Sequence, residues 1–462
     1  MIDRIERFIA HLEQHRDPAS IPESAHAAAR VWVQDSIGVA LAGTAVAESQ
    51  QVLAAVQGWG RADDARVWGT QKRLPASSAA MVNAFHIHNQ EFDCVHEKAV
   101  VHPMAVILAA LLTAAEKGGA SRPVSGPQLT AALALAVDVA TVTGMCAKRG
   151  IRFFRPAQCG CIGATAGLCV LLGLNTTATR DAFGIAYSQL AGTMQAHIEG
   201  TPTLALQVGF AARAAINAVD LAAQGFRGPH HVLDGPHGYF NLFEPDGVSA
   251  NAADTPFNEL GKCWQIERVS HKPFPTGRAA QGGIAGLRSL MKSVGFSSAD
   301  VERIIVFAPP LVRQLVDRPM QPDMSVSYAR LCLPFLLATT MRDGNVGLDA
   351  YSPERLSDAD LLALASRVSM AADTNNDVNA LRPQRIEITL KGGAVHALDM
   401  PYVYGAPEAP MSSTEREQKF LDCCAFARAP LSTDAANTLQ STIDQMATLD
   451  DVSLIVSHCI PT

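Results

Sequence analysis

The chain has 462 residues, of which 48% are hydrophobic and 18% charged, and its formal net charge is −7. This length exceeds one ordinary core and predicts two or three domains, and the absence of a Lys/Arg block argues against a nucleic-acid partner. The ten cysteines lack paired C-x-x-C spacing, and the first residues lack the apolar core of a signal peptide. We therefore expect reduced thiols and a cytoplasmic location. The longest apolar run, 129–145, is interrupted by Asp138, so no membrane span is predicted.

Helical spacing of apolar residues dominates from the first residues to about Leu242. Gly-rich or Pro-rich breaks separate the segments, as at 118–120 and 225–229. The predicted helices cover residues 2–15, 22–43, 77–92, 103–117, 127–147, 163–173, 179–194 and 206–223.

The pattern changes after about Asn251, where short β-rich runs appear between helical ones. The predicted strands are 264–269, 301–307, 385–390 and 395–400, and the turn 391–393 joins the last two into a hairpin. The predicted helices are 277–293, 325–341, 353–368, 413–420 and 434–446. The chain is thus predicted to be mainly α. A large helical domain (1–255 with 412–462) is interrupted by a smaller α+β domain (256–411).

The segment 83–103 concentrates polar chemistry within apolar surroundings. It contains four histidines and three acids: His86, His88, His96, His102, Glu91, Asp93 and Glu97. Acids and imidazoles in such surroundings acquire shifted pKa values and support proton transfer. The segment is therefore the leading candidate for a reaction centre.

Two interpretations of this segment compete. His86 and His88 with Glu91 or Asp93 offer imidazole and carboxylate ligands to a metal, but the zinc-protease pattern H-E-x-x-H is absent. A metal-free proton-transfer site fits better, because neighbouring carboxylates move their pKa values apart. His102 precedes the helix-starting Pro103, and the positive end of a helix favours the neutral imidazole. No metal is predicted.

Two further segments carry cations. His271–Arg278 is a loop stiffened by two prolines, in which Lys272 and Arg278 suit a substrate carboxylate. The segment 149–156 interleaves three arginines, including Arg155, with aromatic residues. It is interpreted as an anion-binding stretch or a subunit contact, rather than a base-stacking surface.

These segments resemble the MmgE/PrpD family, which includes 2-methylcitrate dehydratase, cis-aconitate decarboxylase and iminodisuccinate epimerase. The family's N-G-x-x-A-H-A-L-D-F-D-D-T-H and later H-P are similar to N-A-F-H-I-H-N-Q-E-F-D-C-V-H and V-H-P here, and its K-P-Y-P-x-x-R is similar to residues 272–278. R-F-F-R-P, Y-A-R-L-C-L-P-F and G-F-R-G-P are also family-like, so the resemblance spans essentially the whole chain. It implies a helical domain completed by both chain ends, a site between two domains, a homodimer, and chemistry on small polycarboxylates without a cofactor.

The resemblance carries over to individual positions. Catalytic roles fall to Asp93, Glu91, His102 and Lys272, and substrate-binding roles to Arg278, His96 and Arg155. Glu91 stands where the family has Asp, and Cys94 and Val95 stand where it often has Asp and Thr. Leu204, Gln207 and Gln281 occupy positions where relatives have a lysine and two histidines.

The function predicted from these residues is a cofactor-independent hydro-lyase acting on a small hydroxy-polycarboxylate resembling 2-methylcitrate. A base removes a proton next to a carboxylate, cations hold the carboxylates, and an acid assists the leaving group. Epimerisation or decarboxylation by the same carbanion chemistry is the first alternative. The second is a non-catalytic binding or scaffold protein, which the altered residues 203–209 favour.

Overall fold

A computed structural model describes residues 3–244 and 254–461. Within them the N-terminal part is helical, apart from a two-residue strand pair, β1 (Ala65–Arg66) and β2 (Arg73–Leu74). Its helices are α1 (Arg4–Gln14), α2 (Glu23–Gly43), α3 (Ala47–Gln57), α4 (Ala76–His88), α5 (Pro103–Gly118), α6 (Gly126–Met145), α7 (Arg155–Leu171), α8 (Thr176–Tyr187), α9 (Gln195–Glu199), α10 (Thr203–Ala223), α11 (Tyr239–Phe243) and α12 (Asp254–Asn258). Ile2 and Asn251, which the sequence-based predictions also named, lie outside the described residues.

The second part combines helices with a four-stranded sheet of order β4–β3–β5–β6. β3 pairs with β4 in parallel and with β5 antiparallel, and β5 and β6 form the predicted hairpin. Its elements are α13 (Arg278–Val294), β3 (Val301–Ala308), α14 (Pro310–Val316), α15 (Val326–Ala329), α16 (Leu333–Asp343), α17 (Pro353–Leu356), α18 (Ala359–Ala365), β4 (Val368–Ala372), β5 (Gln384–Leu390) and β6 (Val395–Met400).

The last helices are α19 (Ser413–Phe426), α20 (Thr433–Asp444) and α21 (Ser453–His458). They return to the N-terminal helices: the Lys419 ammonium group donates to Asp35 on α2 at 2.7 Å and to the Phe92 carbonyl at 2.9 Å. A Cβ added at Gly38 would lie 2.9 Å from the Phe420 ring, so the glycine lets α2 and α19 approach closely. The mainly α fold with a small sheet is thereby confirmed, while the domain boundaries stay a prediction.

Three local predictions were wrong. Residues 264–269, predicted as a strand, contain a 3-10 helix at Gln265–Arg268. The helix predicted at 325–341 is broken between α15 and α16, and the strand β4 was missed at the end of the helix predicted over 353–368. Short apolar runs fit a strand or a buried helix turn equally well, so tertiary packing decides between them.

The core is formed by helices that are apolar on nearly all sides. Every residue of α5 from Pro103 to Glu116 is buried, and α6 and α7 approach through small residues. At Gly163, for example, an added Cβ would lie 2.5 Å from the Ala136 carbonyl oxygen. Such contact requires glycine and fixes the distance between the two helices.

The prediction that no segment is long and apolar enough to span a membrane was wrong. By length and apolar composition alone, three helices pass that test: Pro103–Ser121, Gly126–Met145 and Thr203–Ala223. Between 61% and 89% of their residues are buried inside the fold. Asp138, in the middle of α6, binds the His11 imidazole at 3.0 Å and the Gln265 backbone N–H at 2.8 Å. The apolar surface of these helices is thus explained by internal packing.

Candidate active site

The segment after α4 carries the acids and meets the second part of the chain. Val95 and Ser270 exchange backbone hydrogen bonds of 3.0 and 2.8 Å, and this bridge brings Lys272 beside Asp93. Residues 96–101 then form a tight hairpin, and His102 is the N-cap residue of α5. Glu91 and Val100 adopt positive φ values of 51° and 53°. Residues other than glycine rarely adopt this conformation, and β-branched residues such as Val100 are the least suited to it, so the surrounding packing imposes strain at both positions.

Asp93 is the centre of the cluster. Its Oδ2 atom lies 3.0 Å from His88 Nδ1 and 3.1 Å from His102 Nδ1, and its Oδ1 atom lies 3.5 Å from the Lys272 ammonium group. A carboxylate oxygen accepts hydrogen bonds, so both imidazoles carry a proton on Nδ1. No described residue bonds to His102 Nε2, and His102 lines a cleft. Its lone pair is therefore available to a bound molecule.

Lys272 connects the second part of the chain to this cluster. It is fully buried, and its ammonium group lies 2.9 Å from Glu91 Oε2. Glu91 Oε1 lies 3.7 Å from His88 Nε2. Two carboxylates, two imidazoles and one ammonium group thus share a buried site, where charges interact strongly.

The pKa values of both carboxyl groups in the cluster are lowered. Burial raises the Glu91 pKa, but Lys272, His88 and His102 outweigh it and lower that pKa to about 2. The same three residues hold the Asp93 pKa well below its usual range despite burial. Both carboxyl groups are therefore ionised at neutral pH.

The two histidines shift in opposite directions. Burial, followed by the Lys272 charge, lowers the His102 pKa below its ordinary value of 6.5. Burial also acts to lower the His88 pKa, but Asp93 and Glu91 together raise it. One ring thus favours its neutral, base-competent form and its neighbour, 4.8 Å away between ring centroids, favours the cation.

Two small cavities border the cluster and share Glu91, Leu204 and Leu331. The first also contains His88, Glu48 and the side chain of Arg330. The second, which we call the apolar cleft, contains His102 and His197 among mostly hydrophobic walls. These walls are Val95, Val100, Ile151, Phe154, Pro156, Met194, Leu315 and Leu381. A few polar groups converging in an apolar cavity are typical of a small-molecule site.

Arg278 is predicted to bind substrate, but its guanidinium group forms its hydrogen bonds with other residues of the protein. Its guanidinium group forms an ion pair with Glu97 at 2.7 Å and donates to the carbonyl oxygens of His271, Tyr404 and Val403. The residue borders the apolar cleft, but its hydrogen-bonding capacity is used in holding the loops together.

His96 and Arg155 lie outside the Asp93 cluster. His96 Nε2 lies 3.1 Å from Gln265 Oε1, its Nδ1 accepts from the Ala99 N–H, and burial lowers its pKa to about 4. Arg155 is buried against Glu244 and donates to Asn379 and the Arg149 carbonyl. The structure thus gives both residues bracing contacts, and their substrate-binding roles stay predictions.

Three of the departures from the family pattern, at Leu204, Gln207 and Gln281, have separate consequences. Leu204 lines both cavities and leaves them without the relatives' lysine. Gln207 accepts from the Thr193 N–H at 2.6 Å. Gln281 accepts from the Phe274 N–H at 3.1 Å and donates to the carbonyls of Phe274 and Thr276, which braces the loop carrying Lys272. Of these three residues, Leu204 is the one that lines the two cavities and changes the chemistry of their walls.

Two residues of the site are not predicted as catalytic or substrate-binding residues from the sequence. His88 is predicted only as a possible metal ligand, although its position five residues before Asp93 indicates that the two side chains could meet. Arg330 lies in a family-like stretch but 239 residues after Glu91 in numbering, and no local pattern connects them. His86 is buried with both ring nitrogens unpartnered, and burial lowers its pKa to about 4.

His88, Asp93 and His102 are also the described residues best arranged to hold a metal, with ligand atoms within 4.8 Å of one another. Imidazole and carboxylate ligands suit zinc or iron. However, both Nδ1 atoms point at the same Asp93 oxygen, and the Lys272 ammonium group lies 3.5 Å from the other. A dication there would meet this positive charge, so the arrangement fits proton transfer better.

The fold and the site define a two-part helical protein with a buried His–carboxylate–Lys cluster between the parts. The MmgE/PrpD N-terminal domain matches residues 4–249 and the MmgE/PrpD C-terminal domain matches residues 274–445. The chain belongs to the MmgE/PrpD family.

Similar curated proteins cover most of the chain. The cis-aconitate decarboxylase of Homo sapiens is 28% identical over 407 residues, which are 85% of this chain and 81% of that protein. The cis-aconitate decarboxylase of Mus musculus is 26% identical over 438 residues (92% and 86%). The cis-aconitate decarboxylase-like protein oryM of Aspergillus oryzae is 24% identical over 459 residues (95% and 94%).

Proposed function

We propose that this protein is a lyase acting on a small polycarboxylate through a carbanion next to a carboxylate. The observation that carries the proposal is His102, whose Nδ1–H is held by Asp93 while its Nε2 is open to the cleft. A buried carboxylate that fixes the tautomer of a neutral imidazole makes the opposite nitrogen a directed base. Family membership and the decarboxylase relatives support the lyase class.

Among lyase reactions, we propose dehydration of a hydroxy-polycarboxylate. His102 Nε2 takes the proton from the carbon next to a carboxylate, the released electron pair forms the double bond, and the carbon–oxygen bond of the hydroxyl group breaks. His88 supplies the proton that converts the leaving hydroxide to water, and Glu91, 3.7 Å from His88 Nε2, passes it on. Lys272 stabilises the negative charge that develops near Asp93 and Glu91.

Decarboxylation is the second candidate. The wall of the apolar cleft favours it, because a carboxylate that loses its hydration becomes easier to release as neutral carbon dioxide. In this reaction the carbon–carbon bond to the carboxylate breaks, and His88 protonates the resulting carbanion. The relatives that are named cis-aconitate decarboxylases add support.

The test is to incubate the protein with 2-methylcitrate, citrate and cis-aconitate and to follow alkene absorbance, carbon dioxide release and proton NMR spectra. Alkene formation with water loss supports dehydration, and carbon dioxide release supports decarboxylation. Exchange of the carbon-bound proton with solvent, without either product, would indicate an epimerase instead. No turnover and no thermal stabilisation by any di- or tricarboxylate would overturn the proposal in favour of a non-catalytic protein.

A further inference from the structure

Arg330 is a buried cation that forms no ion pair with any carboxylate in the described part of the chain. It is 4% exposed, and its guanidinium group donates to the Asn89 carbonyl at 2.6 Å and to the Gln90 side-chain oxygen. Its Nε atom is buried and has no hydrogen-bond partner among the described residues. The group lies 4.8 Å from the centroid of the Tyr351 ring. These neutral contacts leave both the charge and one donor unpaired, which is costly in a buried position.

Arg330 lines the first cavity described above. His88 and Glu91 line the same cavity, so Arg330 and the acid–imidazole cluster border one space. Glu48 lines the same cavity but forms no ion pair with Arg330 among the described residues. Leu204, in the wall shared with the apolar cleft, adds no charge. Arg330 therefore adds a permanent positive charge to this cavity, beside the His88 imidazole.

We propose that Arg330 binds a second carboxylate of the substrate, one remote from the reacting carbon, and so selects polycarboxylates over monocarboxylates. The planar guanidinium group forms paired hydrogen bonds to a carboxylate, and its free Nε and remaining Nη protons provide them. The inference rests on the proposed function and adds the cation that recognises the substrate class.

The side chain can be changed without removing the backbone contacts of this residue. The Arg330 carbonyl accepts from the Thr276 hydroxyl group and from the Gly277 N–H at 3.4 Å, which anchors the loop of Lys272. Arg330→Gln keeps these contacts. Arg367→Gln is the matched control, because Arg367 also donates to carbonyl oxygens, those of Ser298 and Val301, but lies outside both cavities.

The experiment is isothermal titration of the wild-type protein and the variants with propane-1,2,3-tricarboxylate and with butyrate, which has a single carboxylate. We expect Arg330→Gln to weaken tricarboxylate binding by about 10- to 100-fold and to abolish its advantage over butyrate. Arg367→Gln should retain the wild-type affinities. Glu48 is partly exposed, and its negative charge repels a bound tricarboxylate. Glu48→Gln removes this repulsion and should tighten tricarboxylate binding by about two- to fivefold.

The outcomes separate the two proposals. If the wild-type protein binds both acids and Arg330→Gln keeps the preference for the tricarboxylate, the Arg330 assignment is wrong while the proposed lyase stands. If Arg330→Gln does not fold, an unchanged affinity in Glu48→Gln overturns the assignment by itself. If the wild-type protein binds neither acid, the polycarboxylate class and this inference fail together.

Discussion

One cluster of acids and cations is centred on Asp93, before the hairpin 96–101, and a second is centred on Glu97, within that hairpin. The two clusters differ in which polar atoms are left without a partner. In the Asp93 cluster, no described residue donates a hydrogen bond to Asp93 Oδ1, which has only the 3.5 Å contact with Lys272, and His102 Nε2 is open. In the cluster around Glu97, that carboxylate accepts from Arg278 and Ser270, and the Arg278 guanidinium group binds three carbonyl oxygens.

The comparison shows that residue type alone does not identify a reactive site. Both clusters combine acids with cations between the two parts of the chain, and the sequence offers members of both as functional residues. The Glu97 cluster satisfies its own charges and braces loops, which is the usual role of a buried ion pair with additional hydrogen bonds. The Asp93 cluster holds shifted groups toward a cavity, which is typical of catalysis.

The largest expected effect is on turnover at Asp93. Asp93→Asn replaces the carboxylate that fixes the tautomer of His102 with a neutral amide, which has a donor as well as an acceptor. We therefore expect kcat to fall by about 10³- to 10⁴-fold, as when a buried carboxylate that orients a catalytic histidine is removed. Steady-state kinetics on the identified substrate measures this. The matched control is Asp138→Asn, since Asp138 is also buried and bonded to a histidine, but lines neither cavity. Equal losses in the two variants would contradict the distinction.

The next effect is on stability at Lys272. Lys272→Met leaves Asp93 and Glu91 as buried carboxylates without their ammonium partner, and we expect the free energy of unfolding to fall by about 3–5 kcal/mol. Adding Glu91→Gln should recover part of this loss, because one of the unpaired charges is removed. Urea unfolding of the two single variants and the double variant measures the coupling. Strict additivity would show that Lys272 and Glu91 do not interact.

A smaller effect is expected at Arg278, and it separates bracing from substrate binding. Arg278→Gln should lower the free energy of unfolding by about 2–4 kcal/mol, because Glu97 loses its partner and three carbonyl oxygens lose a donor. The KM of the folded variant should change by less than about threefold if the guanidinium group does not bind substrate. A large rise in KM with unchanged stability would instead support the sequence-based role of Arg278.

The smallest effect is a shift in pH dependence. Because the folded pKa of His102 is lowered, the imidazole stays neutral down to a lower pH than a free histidine. The rate kcat/KM should therefore fall as the pH falls through a midpoint below 6.5, where protonation removes the base. His96→Gln should keep this acid limb. A midpoint at or above 6.5, or one that moves with His96, would contradict the assignment of His102.

Much of the fold can be predicted from the chain because its signals are local. Long apolar helices such as α5 and the hairpin turn at Gly392–Gly393 depend on neighbouring residues. The strand β4 could not be predicted in the same way. It pairs in parallel with β3, more than sixty residues earlier, and no short-range pattern encodes that contact.

The candidate site likewise has a part that the sequence predicts and a part that it does not. Glu91, Asp93 and His102 lie within twelve residues, so the sequence identifies them together. The carbonyl groups that occupy Arg278, at Val403 and Tyr404, carry no residue-specific signal. The unpaired state of Arg330 likewise depends on the distant backbone of Asn89, which only the folded structure reveals.

The central claim is that His102, held by Asp93, moves a proton at a carbon next to a carboxylate. The most direct measurement is proton NMR of the turnover reaction in D₂O, with the wild-type protein, His102→Gln and Arg278→Gln. Re-addition of water to the alkene returns a solvent proton to the carbon that His102 deprotonates. We therefore expect deuterium to appear at that carbon of the hydroxy acid with the wild-type protein and with Arg278→Gln, and to be lost with His102→Gln. Deuterium incorporation at the wild-type rate in His102→Gln would contradict the account.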